Sequence, residues 1–129
     1  MESQKSAIGL DGNITAAIGY PIGIIALILI FIEKDNKFVR FHAIQSLLWG
    51  VAMTVVVVVI GIVGTIITLA AAAASSTLAW IIGAIVTLLY LAWLVAALGG
   101  MIYAAIKAYG NQIFKLPLVG NFAEKWSNS

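Results

Sequence analysis

IQSLLWGVAMTVVVVVIGIVGTIITLAAAAASSTLAWIIGAIVTLLYLAWLVAALGGMIYAAI, residues 44–106, contains no Asp, Glu, Lys, Arg or His. Around Ser75-Ser76-Thr77 it belongs to two apolar runs, Ala43–Ala74 and Leu78–Lys107. Each run is roughly 30 residues, or about 45 Å as α-helix. A spanning helix needs about 20 mainly apolar residues to cross ~30 Å of hydrocarbon. Uncharged helices of this length have no place in a soluble domain, so the chain reads as an all-α integral membrane protein. The β-branched stretch Val55–Ile60 would suit a strand in water. In lipid a lone strand leaves its backbone unsatisfied, and helix is the only tenable reading. The Ser-Ser-Thr turn offers an N-cap and is short enough to make the two helices antiparallel neighbours.

Working outward, composition agrees. The 129 residues are 63% hydrophobic and 9% charged, with a mean hydropathy of +1.10. Globular domains carry about 25% charged residues. The length suits a single transmembrane domain over 1–129 and leaves no room for a separate catalytic domain. The sequence pI near 9.0 rests on a formal charge of only +2. The cations border the apolar runs, so they read as topology signals and not as a nucleic-acid footprint. Without Cys there are no disulfides, thiolate metal sites or Cys nucleophiles.

A third apolar run, Ile14–Ile32, precedes a charged loop. It lacks the basic start and small-residue end of a signal peptide, and it reads as a retained span. Asp11 or Asn13 is expected to cap it. Pro21, between Gly19 and Gly23, is expected to bend it. The expectation is therefore three transmembrane helices, about 14–32, 43–74 and 78–109, with a polar tail over 110–129. Lys34, Lys37 and Arg40 lie in the first loop, Lys107, Lys115 and Lys125 at the C-terminal border and tail, and Lys5 alone lies before the first run. By the positive-inside rule this predicts the N-terminus outside and the C-terminus cytoplasmic.

The segment most able to carry chemistry is Glu33–Ser46. His42, Gln45, Ser46 and Trp49 fall at i, i+3, i+4 and i+7, one helical stripe. Polar groups at that depth are costly and often mark a functional site. The structural alternative is that His42 and Gln45 pin the first loop and the tail, and this reading is preferred. Arg40, with His42, Gln45 and Ser46 in the candidate polar cluster, is expected to reach headgroups or pair with Glu33 or Asp35. His42 is the only His and has no carboxylate at i+3 or i+4, so no metal site is read. Ser46 and His42 lack an orienting carboxylate and oxyanion donors, so no catalytic residue is assigned. No phosphate-loop fingerprint and no cofactor site are found. On the last helix Ala92, Ala96, Gly100, Ala104 and Ala108 recur every fourth residue and form a candidate packing stripe. Ala97 is expected nearer lipid.

Tyr20-Pro21-Ile22-Gly23, then Phe38-Val39-Arg40-Phe41-His42-Ala43-Ile44-Gln45, and finally Lys115-Leu116-Pro117-Leu118-Val119-Gly120 resemble small prokaryotic membrane proteins grouped with the chloroplast inner-envelope import component, the Tic-twenty-like family. The resemblance implies a prokaryotic plasma membrane and a role related to protein transport. The chloroplast member has four spans and this chain reads as three, too few to enclose a polypeptide channel alone. The expected function is a non-enzymatic component of a membrane complex. The alternative is a small structural or regulatory subunit that packs on a larger assembly or binds lipids. The expected partners are the lipid bilayer and further copies or other membrane proteins, with no nucleic acid.

Overall fold

A computed structural model describes residues 4–128. These form five helices: α1 Gly12–Gly19, α2 Gly23–Ile32, α3 Lys37–Ala74, α4 Ser76–Tyr109 and α5 Gly120–Ser127. The two long apolar runs are α3 and α4, both long and apolar enough to cross a membrane. Asn36 caps α3 through its side chain on the Val39 N–H at 3.2 Å. Ser75 is the only residue between the two helices and caps α4 on the Leu78 N–H at 3.3 Å. The chain reverses there, and the long helices pack antiparallel. Trp93 Nε1 donates to the Met53 carbonyl at 2.8 Å, and Trp49 Nε1 donates to the Ala97 carbonyl at 3.0 Å.

The third apolar run is not one helix. Pro21 supplies no N–H, and Ile22 leaves the helical region at φ −117° and ψ 87°. A new helix starts at Gly23 and runs back. Three contacts fix the reversal. The Ala7 N–H donates to Glu33 Oε2 at 2.6 Å, joining the segment before α1 to the end of α2. Asn36 Nδ2 donates to the Gln4 carbonyl at 2.9 Å. Asn13 Nδ2, in the first turn of α1, donates to the Tyr109 carbonyl at the end of α4 at 2.8 Å. So α1 and α2 form a hairpin whose arms are about 12 and 15 Å long. Residues 4–11 lie at the same end as the α2–α3 loop and the tail. The expected single helix over 14–32 is corrected by this reversal, and among the described residues two helices, α3 and α4, are long and apolar enough to cross a membrane. Lys5 joins the other cations, and all seven Lys and Arg gather at one end of the bundle. Asp11 precedes α1 without a side-chain capping bond, because its carboxylate is bound to Lys5 at 2.6 Å.

The core lies at this charged end. Ala16 and Tyr20 of α1 meet Trp49 of α3, Ala104 and Ala108 of α4, and Leu116 and Val119 of the tail. Ala26 and Leu29 of α2 pack on Val39 and Ala43. Ala123 of α5 covers Phe41 and Ile44. The end of α4 is closed by Asn111 at φ 60°, with Asn111 N–H to Ala108 O and Gln112 N–H to Lys107 O. This is a Schellman motif with Asn, not Gly110, in the left-handed position.

Candidate functional site

Two irregular segments enter the bundle next to the first turns of α3: the α1–α2 apex and tail residues 111–119. Each carries backbone groups without a helical partner, which in lipid is tolerated only where protein supplies the missing hydrogen bonds. The polar stripe of α3 supplies them. Ser46 Oγ donates to the Gly19 carbonyl at 2.9 Å, at the break in α1. His42 Nε2 lies 3.0 Å from the Gln112 carbonyl. A carbonyl only accepts, so Nε2 carries the proton and Nδ1 is the acceptor. Tyr20 Oη lies 2.6 Å from that Nδ1 and donates to it. Gln45 Nε2 donates to Tyr20 Oη at 2.6 Å and to the Phe114 carbonyl at 2.8 Å. Gln45 Oε1 accepts from the Leu116 N–H at 2.8 Å.

The network closes on itself. Both His42 nitrogens, both amide protons and the oxygen of Gln45, and the donor and one acceptor site of Tyr20 are engaged. His42 and Gln45 are fully buried. The His42 ring is boxed edge-on by Phe38 at 4.7 Å, Phe41 at 5.0 Å and Tyr20 at 5.5 Å between centroids. A neutral imidazole in this box has no lone pair left for a metal or a substrate proton. Tyr20 completes the cluster and was absent from the sequence-based set. Its signal was the Tyr-Pro pair, which places an amphipathic ring where a helix must break.

Arg40 does not make the carboxylate pair that was one of its two expected contacts. Glu33 is buried and spends its carboxylate on the Ala7 and Asn36 N–H groups. Among the described residues neither Glu33 nor Asp35 forms an ion pair with Arg40. Arg40 is half-buried, and its Nε is buried without a hydrogen-bond partner.

The small-residue stripe meets the interface at Gly100, Ala104 and Ala108 and leaves it at Ala92 and Ala96. Ala104 and Ala108 are fully buried, and a Cβ on Gly100 would lie 2.6 Å from Trp49 Cζ2. Ala92 and Ala96 are exposed, whereas Ala97 is half-buried against Trp49. A step of four residues turns about 400° on a helix of 3.6 residues per turn, so the stripe drifts about 40° per step. After four steps it has left the interface. The true inner face runs through Val86, Tyr90, Trp93, Ala97, Gly100, Ala104 and Ala108. Further out, Thr68, Trp80, Gly83 and Thr87 line a shallow groove between α3 and α4 that is mainly apolar.

The chain is similar along nearly its whole length to archaeal proteins described as UPF0132 membrane proteins. One from Methanocaldococcus jannaschii is 34% identical over 95% of this chain and 94% of its own length. A second from that organism is 27% identical over 93% of this chain and 73% of its own length. One from Archaeoglobus fulgidus is 32% identical over 88% of this chain and 92% of its own length. No solved structure matches. These relatives, with the apolar helices, make this an integral membrane protein. They overturn the resemblance to the chloroplast import component, and the protein-transport expectation falls with it. Residues 6–123 match the model of the magnetosome magnetite crystal formation protein family, and the chain belongs to that family.

Proposed function

We propose that this protein is a non-enzymatic structural component of a membrane, whose polar cluster serves as a clamp that holds the hairpin apex and the C-terminal tail at one membrane face. The observation that carries this reading is the saturation of the network. His42, Gln45 and Ser46 spend their hydrogen-bonding groups on backbone of the hairpin apex and the tail and on the Tyr20 hydroxyl. A catalytic or transport site would keep such groups open toward a substrate or a water-filled path. What the clamp leaves for partners is the outer surface of α3 and α4, where large apolar side chains such as Trp80, Val95 and Leu69 point outward. Lipid, further copies of the chain or other membrane proteins fit that surface.

The family description concerns magnetite crystal formation. In this chain Asp11 pairs with Lys5, Glu124 pairs with Lys115, and Glu33 holds two backbone N–H groups. Glu33 is buried in the fold and the other two are neutralised by lysines at the surface, which favours a membrane-scaffold role over direct contact with a mineral.

The positive-inside rule puts the charged end in the cytoplasm. With α1–α2 reversed, the reading becomes two spans and a re-entrant hairpin, with both chain ends cytoplasmic. Tags at Met1 and Ser129 in sealed cells should both be protected from an external protease. Exposure of either tag rules this topology out. For the function, His42→Ala should lower the melting temperature in detergent and reduce any cellular phenotype in proportion. A His42→Ala protein of unchanged stability that lacks the phenotype would make the cluster a chemical site and refute the clamp.

A further inference from the structure

We propose that the charged end is a docking surface for the anionic headgroups of phospholipids, centred on Lys34, Lys37 and Arg40. The inference rests on the membrane-embedded reading above and adds a partner to it.

Charge complementarity is the first argument. The two ion pairs among the described residues consume Lys5 with Asp11 and Lys115 with Glu124. Glu33 is spent on backbone. That leaves Lys34, Lys37, Arg40, Lys107 and Lys125 with Asp35 as the one remaining carboxylate among the described residues. Lys107 lies 5.3 Å over the Tyr103 ring. Lys34 and Lys37 are exposed, and between them Asn36 turns the chain from α2 into α3.

Position is the second argument. The exposed face of α2, with Ile24, Ile28, Phe31 and Ile32, leads directly to Lys34. A lipid lying along α2 would set its acyl chains on these side chains and its headgroup beside Lys34 and Lys37. Arg40 follows Lys37 by three residues, on the same side of α3. Arg40 is half-buried, with its Nε inside the protein, so the rest of the guanidinium is the part that a headgroup at this level would meet. A guanidinium is suited to a phosphate oxygen pair. The opposite end of the bundle, Ser75-Ser76-Thr77, has no charge at all. The two leaflets therefore meet different surfaces, and only one is built for anionic lipid.

The test uses the full chain in mild detergent, titrated with phosphatidylglycerol or phosphatidylcholine, with bound lipid read by native mass spectrometry. Phosphatidylglycerol should be retained about ten-fold better than phosphatidylcholine at low salt. The preference should shrink as salt rises. In Lys34→Gln/Lys37→Gln, which alters only exposed side chains, it should fall to within about two-fold. Lys115→Gln, which breaks an ion pair elsewhere, should keep it. Equal retention of the two lipids by the native chain overturns the proposal, as does an undiminished preference in the double variant. Displacement of phosphatidylglycerol by inorganic phosphate, at matched ionic strength, would reassign the site to a free anion and overturn the lipid reading. Melting of the native chain is followed in parallel. A chain that melts normally but ignores lipid charge refutes this proposal and leaves the clamp standing.

Discussion

The two ends of this molecule are held together by different means. At the charged end α1, α2, the starts of α3 and α5, the close of α4 and the tail converge on Tyr20, His42 and Gln45. At the other end only α3 and α4 remain. There Gly61 approaches the Tyr90 hydroxyl and Gly64 approaches Val86, while most other side chains point outward. In water an apolar helix pair would collapse to hide such surface. In lipid that drive is absent, and helices meet where small residues allow close approach or where polar groups find partners. Elaborate packing is therefore needed only where backbone leaves the helix. The hairpin apex and the tail do so, and both are at the charged end.

The largest effect should come from the centre of the clamp. Gln45→Leu strips partners from the Leu116 N–H, the Phe114 carbonyl and the Tyr20 hydroxyl, and an unsatisfied buried group costs about 1–3 kcal/mol. We expect a loss of at least about 3 kcal/mol in detergent melting. Proteolysis beside Lys115 should accelerate with it. A Gln45→Leu protein that melts like the native chain would erase the contrast between the ends.

Next comes the α3–α4 contact. Gly100→Leu drives a side chain into Trp49 and should cost about 1–3 kcal/mol. Ala96, exposed one turn away, should accept Leu within about 0.5 kcal/mol. Equal losses at the two positions would mean that α4 is rotated from the orientation described. Smaller still is Trp49→Phe, which keeps a ring against Ala104 but drops the N–H to the Ala97 carbonyl, for about 1 kcal/mol. Trp80, 81% exposed near the uncharged tip, should tolerate Leu with less than about 0.5 kcal/mol. A larger cost for Trp80→Leu in lipid than in detergent would sharpen the comparison, because it would reveal a partner or an interfacial anchor at the bare end.

The same contrast explains which features could be read from the chain. The run over 44–106 gave two long helices to within a few residues at their uncharged ends. Their charged-end boundaries were harder, since α3 begins at Lys37, ahead of its apolar part. Hydropathy measures whether residues 14–32 prefer lipid and carries no information on which way the chain leaves Pro21. A lone Lys5 on the supposed outer face is compatible with the bias of the other six, so charge counting gave no warning of the reversal. The i, i+3, i+4, i+7 stripe located His42, Gln45 and Ser46, because helical periodicity is local. Their partners at Tyr20, Gln112, Phe114 and Leu116 are distant in sequence and had no periodic signature. For Arg40 a carboxylate was one of two expected partners, beside lipid headgroups, and it was suggested by charge alone. The folded chain spends Glu33 on the N–H of Ala7, a neutral donor that charge counting does not register.

The amino-acid sequence by itself determined the solvent of this protein and the existence of α3 and α4. Removing apolar surface from water scales with composition, and backbone in hydrocarbon has no choice but to bond within its own helix. It also determined that polarity is confined to segments outside residues 46–106, apart from scattered hydroxyls and indoles. Only the tertiary structure decided that Pro21 reverses the chain, that all seven cations share one end, and that His42 is a structural donor and acceptor. Those outcomes depend on which carbonyl lies within about 3 Å of which donor. That distance is set by the packing of α1, α2 and the tail against α3, and not by any residue's own preference.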